Sequence, residues 1–303
     1  MRLEGVYLPV TTPFDAATGD LDLDGFARNL GVWHAQPIAG IVVGGSTGEA
    51  ALLDEPELLR LTERAVQESP AGRAVIAGVG AESSRATIRL AREAAERGAD
   101  AVLVRPPSYY RSRMTDAALR THFLAVADAS AVPMVLYHVP KFVPVDLAPA
   151  LVEELVKHER VIGIKDSSGD IHNLGSLCEA CSGHADVVVG AGTHLYPGLE
   201  IGATGGIVAV GLLATAETCE LFDAFRAGRG ARAGGLQQLI GPLHKRVVAG
   251  AGVPGIKHAL ELLGLNGGPP RPPLLPPSNE TKADVAASLE RAGLLSPARA
   301  GQG

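Results

Sequence analysis

Eight short apolar runs, separated by longer segments with helical spacing, constrain the fold of this chain more than any other feature. Each run is almost continuous in Val, Ile, Leu, Ala and Gly, as expected for strands buried on both faces of a parallel sheet. The intervening segments, such as 55–68 and 84–97, have the amphipathic spacing of helices. This alternation predicts an α/β fold, a closed (β/α)8 TIM barrel, rather than an open doubly wound sheet. The runs lie near 5–10, 39–43, 74–78, 100–104, 132–137, 161–165, 186–190 and 205–210.

The chain continues beyond the eight units with a further set of helical patterns. We expect the barrel to occupy residues 1–230, C-terminal helices packed on the barrel to occupy 231–295, and a frayed tail to occupy 296–303. Prolines are too dense over 267–277 for a helix or a central strand, which predicts an extended connector there. In the C-terminal helical extension, helices are predicted at 231–249, at 253–264 and, after the cap residue Ser278, at 279–294.

Composition narrows the classes of partner. A net charge of -6 argues against nucleic acid or an anionic membrane surface. No apolar run is long enough to span a bilayer, and the N-terminus leads into the first strand without a signal peptide, so a cytoplasmic location is expected. Three cysteines are too few for a disulfide framework. Cys178 and Cys181 form a CxxC without the further ligands of a zinc site, and are interpreted as buried thiols on one helical face.

Lys165 ends the sixth apolar run, and a polar, glycine-bearing loop follows it. The chain has six lysines against 21 arginines, so it has placed a scarce amine at the end of a predicted buried strand. A neutral buried amine can attack a carbonyl and form a Schiff base. The alternative is a lysine whose stem packs while its ammonium reaches water.

Other polar residues follow the predicted strands at the face where a barrel of this type carries its active site. The segment Gly44–Glu49 (GGSTGE) suits a cradle for a carboxylate or phosphate, with Ser46 and Thr47 as further donors, or a purely structural turn. Tyr137 suits an acid/base, or a ring that caps the barrel with its hydroxyl in water. Together with Lys165 on the adjacent strand, these groups fit the capture of a 2-oxo acid.

Metal catalysis is not expected. The histidines near strand ends show neither HxH nor HExxH spacing, and are interpreted as surface residues or as residues that support the site from behind. They are His138, His172 and His194.

Three motifs together resemble the pyruvate-dependent class I aldolase family that includes dihydrodipicolinate synthase and N-acetylneuraminate lyase. They are Gly44–Glu49, the Tyr137–Pro140 block (YHVP) and Gly163–Asp166 (GIKD). The likeness covers nearly the whole chain. Within the family, the closest likeness is to 4-hydroxy-2-oxoglutarate aldolase, and it is carried by Tyr109–Met114, Lys165–Asp170 and Gly267–Arg271.

The resemblance implies a role for each residue of the site. Lys165 would form an imine with the 2-oxo acid, and Tyr137 would shuttle protons. Thr47 would relay protons between Tyr137 and a tyrosine of a neighbouring subunit, Tyr110 or, one residue away, Tyr109. Substrate binding would fall to Gly45, Ser46, Thr47, Ile207 and Ser167. The resemblance also implies pyruvate and an aldehyde as reactants, no cofactor, and a homotetramer built as a dimer of dimers.

One departure from the family pattern bears on the substrate. Phe142 stands where dihydrodipicolinate synthases carry an arginine that grips the second substrate's carboxylate, and an apolar ring cannot make that bidentate contact. The main expectation is therefore a lyase that cleaves or forms a 4-hydroxy-2-oxo acid. The alternatives are a 4-hydroxy-tetrahydrodipicolinate synthase, a 2-keto-3-deoxy sugar acid aldolase or dehydratase, a 2-oxo acid-binding regulator, and a barrel isomerase that binds phosphate at GGSTGE.

Overall fold

A computed structural model describes residues 1–295 and shows a closed barrel of eight parallel strands. The strands follow one another around the barrel in sequence order, and β1 closes it by pairing with β8. The predicted fold, a TIM barrel with a C-terminal helical extension, is confirmed. The predicted tail at 296–303 lies outside the described residues. The strands are β1 (Gly5–Pro9), β2 (Gly40–Val43), β3 (Ala74–Gly78), β4 (Ala101–Val104), β5 (Met134–His138), β6 (Val161–Asp166), β7 (Asp186–Val189) and β8 (Gly205–Ile207).

The predicted strands all exist, but several end at different residues. The largest difference is at β8, which was predicted to reach residue 210 and ends at Ile207. A 3-10 helical turn over Ala209–Leu212 follows, and all four of its residues are buried. A buried turn and a buried strand are both apolar without periodicity, so the pattern could not separate them.

Eight helices form the outer layer of the barrel; α1 to α7 join successive strands, and α8 follows the last strand. Their termini follow ordinary capping rules: Ser83 accepts a hydrogen bond from the Ala86 N–H at the start of α3, and Gly98 takes a φ of +91° just after its end. The helices are α1 (Leu23–His34), α2 (Glu55–Glu68), α3 (Ser84–Glu96), α4 (Asp116–Ala129), α5 (Pro149–Leu155), α6 (Ile171–Ala180), α7 (Leu195–Glu200) and α8 (Thr215–Arg226).

The C-terminal extension contains α9 (Gly230–Leu243), α10 (Gly252–Leu262) and α11 (Asn279–Arg291). The helix predicted at 231–249 is interrupted, since a π-helical segment, His244–Ala251, separates α9 from α10. It follows Pro242, which has no N–H to donate to the helical ladder. Helix α9 packs against α8, and α11 packs against α10. Ser278 caps α11 as predicted, because its hydroxyl oxygen accepts from the Thr281 N–H.

Three further structural observations bear on the sequence-based expectations. No helix within residues 1–295 is long and apolar enough to cross a membrane. The same residues contain no group of three or more His, Cys, Asp or Glu side chains placed to hold a metal ion. Cys178, Cys181 and Cys219 are free thiols, and burial raises their pKa values to about 11, about 12 and about 12.

Candidate active site

Strands β5 and β6 place Tyr137 and Lys165 side by side. The two residues are direct partners in the parallel ladder, and both are buried, with 6% and 4% exposure. Lys165 Nζ lies 4.4 Å from the centroid of the Tyr137 ring. The structure therefore brings together the amine and the phenol that the sequence placed on neighbouring strands.

The GGSTGE loop reaches the same pair from the end of β2. Gly44 has a φ of +65°, and a Cβ there would lie 2.2 Å from the side chain of Leu58, so the turn requires glycine. The loop then forms a 3-10 helical turn over Ser46–Gly48. Ser46 Oγ lies 3.3 Å from Tyr137 Oη, which puts a hydroxyl of this loop on the phenol.

The hydroxyl group that lies next to the Tyr137 hydroxyl is that of Ser46. The resemblance had assigned the proton relay to Thr47. A 3-10 helix has three residues per turn, so neighbouring side chains point about 120° apart and only one can face Tyr137. The structure thus places the Ser46 hydroxyl, and not that of Thr47, next to the Tyr137 hydroxyl, while the identity of the relay residue stays a prediction.

The remaining substrate-binding residues predicted from the sequence lie at the same end of the barrel. Gly45 opens the 3-10 turn, and Ile207 is the last residue of β8. Ser167 follows β6, and its N–H donates to the His138 carbonyl at 2.8 Å. Its hydroxyl approaches Gly190 so closely that a Cβ there would lie 1.9 Å from Ser167 Oγ. Four strand ends thus converge on one region.

Tyr109 and Tyr110 do not join this cluster within the chain. They follow β4, are 80% and 70% exposed, and pack edge to face on each other with centroids 5.1 Å apart. Glu82 anchors the backbone of their loop by accepting the N–H groups of Ser108 and Tyr109, both at 2.8 Å. Among residues 1–295, the side-chain partners of Tyr137 are Ser46 and Lys165, and neither exposed tyrosine is one of them.

A buried histidine–carboxylate pair stands directly behind Tyr137 and Lys165; the sequence offered His138 as a surface or supporting residue but not its partner Asp166. His138 and Asp166 are the next partners in the same ladder, each is 3% exposed, and His138 Nδ1 lies 2.7 Å from Asp166 Oδ1. Side chains alternate along a strand, so this pair points away from Lys165. The signal was present in the sequence, because a His follows Tyr137 just as an Asp follows Lys165.

The electrostatics of His138 differ from those of the other buried histidines. Burial lowers its pKa, but the hydrogen bond and charge of Asp166, with Asp146 Oδ1 at 2.9 Å from Nε2, outweigh burial and raise the pKa above its usual value. Within residues 1–295 no carboxylate lies at ion-pair distance from His122 or His244, and burial lowers each of their pKa values to about 4.

Phe142 lies on the surface next to this site, with 59% exposure. Its neighbour Lys141 donates from Nζ to the carbonyl of Ala249 in the C-terminal extension, at 2.9 Å. The Lys141 amine also lies 5.6 Å from the Phe142 ring centroid. Lys141 is the cation next to Phe142, the position where the arginine of dihydrodipicolinate synthases is expected. Its amine is already hydrogen-bonded to the backbone of this chain.

Comparison with known proteins now adds to this geometry. The model of the dihydrodipicolinate synthetase family matches residues 2–292. A 4-hydroxy-tetrahydrodipicolinate synthase from Methanothrix thermoacetophila is 35% identical, over 93% of this chain and 94% of its own length. Further relatives, from Exiguobacterium and Methanoculleus marisnigri, carry the same name. These names match the synthase alternative and not the closer likeness to 4-hydroxy-2-oxoglutarate aldolase.

Solved structures agree with the family match. A prophage protein of the dihydrodipicolinic acid synthase family from E. coli K12, in complex with pyruvate, superposes with a TM-score of 0.91 and 30% identity, over 97% of this chain and 99% of that one. A structure described as a monomeric dihydrodipicolinate synthase variant superposes with a TM-score of 0.90 and 26% identity, over 97% and 98% of the two chains. The chain therefore belongs to the dihydrodipicolinate synthetase family, a family of pyruvate-using aldolases and lyases.

Proposed function

We propose that this protein is a class I aldolase in which Lys165 forms a Schiff base with pyruvate. The single observation that carries the proposal is the buried cluster at the barrel rim. The Lys165 amine lies 4.4 Å from the Tyr137 ring, and the Ser46 hydroxyl lies 3.3 Å from the Tyr137 hydroxyl. An amine, a phenol and a hydroxyl in this order are the groups that imine formation and proton transfer need.

The chemistry follows from these positions. Lys165 Nζ attacks C2 of pyruvate, and loss of water leaves an imine, which acidifies the C3 protons. Tyr137 takes a C3 proton, the resulting enamine carbon attacks the aldehyde carbon, and the aldehyde oxygen takes up a proton. Water then hydrolyses the imine to release the product and free Lys165, and cleavage is the reverse. Ser46 carries the proton onward to Tyr110 of a neighbouring copy, and Tyr109 is the alternative. Thr47, Gly45 and Ser167 bind the substrate, and the Ile207 carbonyl lies near the imine.

Two reactions compete as the physiological one. The names of the relatives favour condensation of pyruvate with aspartate semialdehyde to 4-hydroxy-tetrahydrodipicolinate. The exposed Phe142 favours a second candidate, cleavage of 4-hydroxy-2-oxoglutarate to pyruvate and an aldehyde, because Phe142 supplies no guanidinium for the carboxylate of aspartate semialdehyde. We place the synthase first, since names shared by full-length relatives weigh more than one side chain.

The assembly and location are part of the same proposal. Tyr109 and Tyr110 are exposed in one chain and the relay needs a partner for Tyr137, which supports a homotetramer built from dimers. Three free cysteines are compatible with the reducing cytoplasm.

Borohydride trapping tests the Schiff base. The protein is reduced with borohydride in the presence of pyruvate, and the adduct is located by peptide mass mapping. We expect the label on Lys165, with none on the exposed Lys157. A wild-type protein whose Lys165 stays unlabelled contradicts the proposal.

A substrate panel separates the two candidates and the non-catalytic alternative. It contains pyruvate with aspartate semialdehyde, 4-hydroxy-2-oxoglutarate, N-acetylneuraminate and several 2-keto-3-deoxy sugar acids. If the protein is the synthase, it should turn over pyruvate with aspartate semialdehyde, and Phe142→Arg should improve this turnover. If it is the aldolase, it should turn over 4-hydroxy-2-oxoglutarate. Turnover equal to that of Lys165→Ala for the whole panel would show a binder without catalysis.

A further inference from the structure

A buried ion pair joins the GGSTGE loop to the C-terminal extension. The side chains of Glu49, the last residue of the loop, and of Lys257, on α10, are 0% and 1% exposed. Lys257 Nζ lies 2.5 Å from Glu49 Oε1, and it donates a hydrogen bond to the Pro269 carbonyl at 2.8 Å. Buried charges persist where each compensates the other, so the two residues depend on one another.

The backbone of Glu49 adopts a conformation that its side chain disfavours. Among residues 1–295, Glu49 is the one residue other than glycine with a positive φ, at +58°. Its N–H closes the 3-10 turn by donating to the Ser46 carbonyl at 3.2 Å. A left-handed residue of this kind persists only where its surroundings hold it. The surroundings of Glu49 therefore decide how the turn that carries Ser46 ends.

Those surroundings come from outside β2 and its loop. Glu49 Oε2 accepts the Arg271 N–H at 2.8 Å, in the connector between α10 and α11. The centroid of the Phe14 ring, from the loop after β1, lies 4.4 Å from Lys257 Nζ and 4.1 Å from Arg271 Cζ. Gly268 takes a φ of +67° where a Cβ would lie 2.8 Å from the Phe14 carbonyl. Both carboxylate oxygens of Glu49 are thus held by the C-terminal extension.

We propose, on the basis of the proposed function, that Lys257 is a positioning residue for the proton relay. Its ammonium holds Glu49 in the left-handed conformation, and this keeps the Ser46 hydroxyl on Tyr137 and the loop N–H groups facing the substrate carboxylate. Lys257 is not a second imine-forming lysine, because it is 1% exposed and its amine is engaged by Glu49 and Pro269. Lys257 on α10 and the Arg271 backbone would then help to position the relay from within the C-terminal extension.

Exchange of the pyruvate methyl protons in D2O, followed by NMR, tests this inference without an aldehyde. Lys257→Met keeps the side-chain length and removes the charge. We expect kcat/KM for exchange to fall by about 10- to 100-fold, as for a misplaced catalytic group, with both kcat and KM affected. Faster amide exchange in a peptide spanning 44–53, read by mass spectrometry, should accompany the loss.

Two further variants keep the test decisive. Leu289→Ala leaves a cavity under α11 in the same extension without touching the loop, so it should destabilise the fold while leaving kcat and KM unchanged at temperatures where it is folded. If Lys257→Met does not fold, Glu49→Gln with Lys257→Met removes both buried charges and should fold while keeping the exchange defect.

The outcomes separate the inference from the proposed function. Folded Lys257 variants with wild-type kcat and KM, or with a defect no larger than that of Leu289→Ala, overturn the positioning role alone. A wild-type protein that neither exchanges pyruvate protons nor is labelled at Lys165 overturns the proposed function, and the positioning role falls with it.

Discussion

The ends of β5 and β6 and the loop after β4 carry the two halves of the proposed site, and they differ in what holds them. Lys165 and Tyr137 are 4% and 6% exposed, and the strand ladder sets their spacing. Tyr109 and Tyr110 are 80% and 70% exposed, and Glu82 fixes the backbone of their loop while the rings stand in solvent. One half is complete within a single chain, and under the proposed function the other half would act on a partner chain.

This difference separates two steps of the proposed reaction. Imine formation needs the Lys165 amine and the loop that binds the carboxylate, which one chain supplies. In the proposed mechanism, proton transfer beyond Ser46 uses a further phenol, which a second copy would supply. Variants in the buried half should therefore abolish chemistry, and variants in the exposed half should weaken it in a way that depends on assembly.

The largest expected effect is that of Lys165→Ala. Removing the group that forms the covalent bond should reduce turnover on the order of 10⁴-fold or more. Borohydride trapping should disappear with it. Lys157→Ala, at an exposed lysine before β6, is the matched control and should behave as wild type. Trapping that persists in Lys165→Ala would move the nucleophile to another lysine.

Variants of Tyr137 and its loop should produce the next largest effects. Loss of a general acid/base costs about 10²- to 10⁴-fold, so Tyr137→Phe should lower kcat for pyruvate proton exchange by that amount. Ser46→Ala should lower kcat, because the Ser46 hydroxyl lies next to the Tyr137 hydroxyl. Thr47→Val should mainly raise KM for pyruvate. The reverse pattern would identify Thr47 as the relay.

A smaller effect is expected in the exposed half. Tyr110→Phe removes one hydroxyl from the relay and should cost about tenfold in kcat, the size of one hydrogen bond. Tyr109→Phe is the matched control one residue away.

The specific activity of the wild type should also fall when the protein is diluted, and its sedimentation profile should be measured at the same concentrations. Equal losses in the two variants would leave the register undecided and argue against a dedicated Tyr110.

The smallest effect concerns stability and its pH dependence. The raised pKa of His138 means that its pairing with Asp166 stabilises the fold fully below about pH 6.5, and that this contribution is lost as pH rises through the folded-state value. His138→Asn should therefore destabilise the protein more at pH 6 than at pH 9 in urea unfolding. His184→Asn, at an exposed histidine, should show no such difference.

His122 and His244 should shift stability in the opposite direction. Their pKa values are lowered to about 4, so they favour the fold above about pH 6.5, and their contribution is lost as pH falls towards 4. A wild-type stability that rises steadily from pH 7 to pH 9 would contradict the sign assigned to His138.

Local features of the sequence predicted much of the fold. The eight strands, the cap at Ser278, and the connector after α10 each depend on residues close together in the chain. The errors fell where local pattern is ambiguous. Buried apolar residues after β8 formed a turn rather than more strand, and the helix after α8 widened into a π-helical segment. The substrate was ambiguous too. Phe142, in place of an arginine, argued against a synthase, whereas the relatives are named as synthases.

The sequence by itself determined the barrel and the strand ends at which Tyr137 and Lys165 lie, because periodicity and strand order are properties of neighbouring residues. Only the tertiary structure decided which groups touch. It placed Ser46 rather than Thr47 on Tyr137, paired His138 with Asp166, and closed Glu49 against Lys257. Such contacts depend on the register between strands and on how separate segments pack, and no local pattern records either.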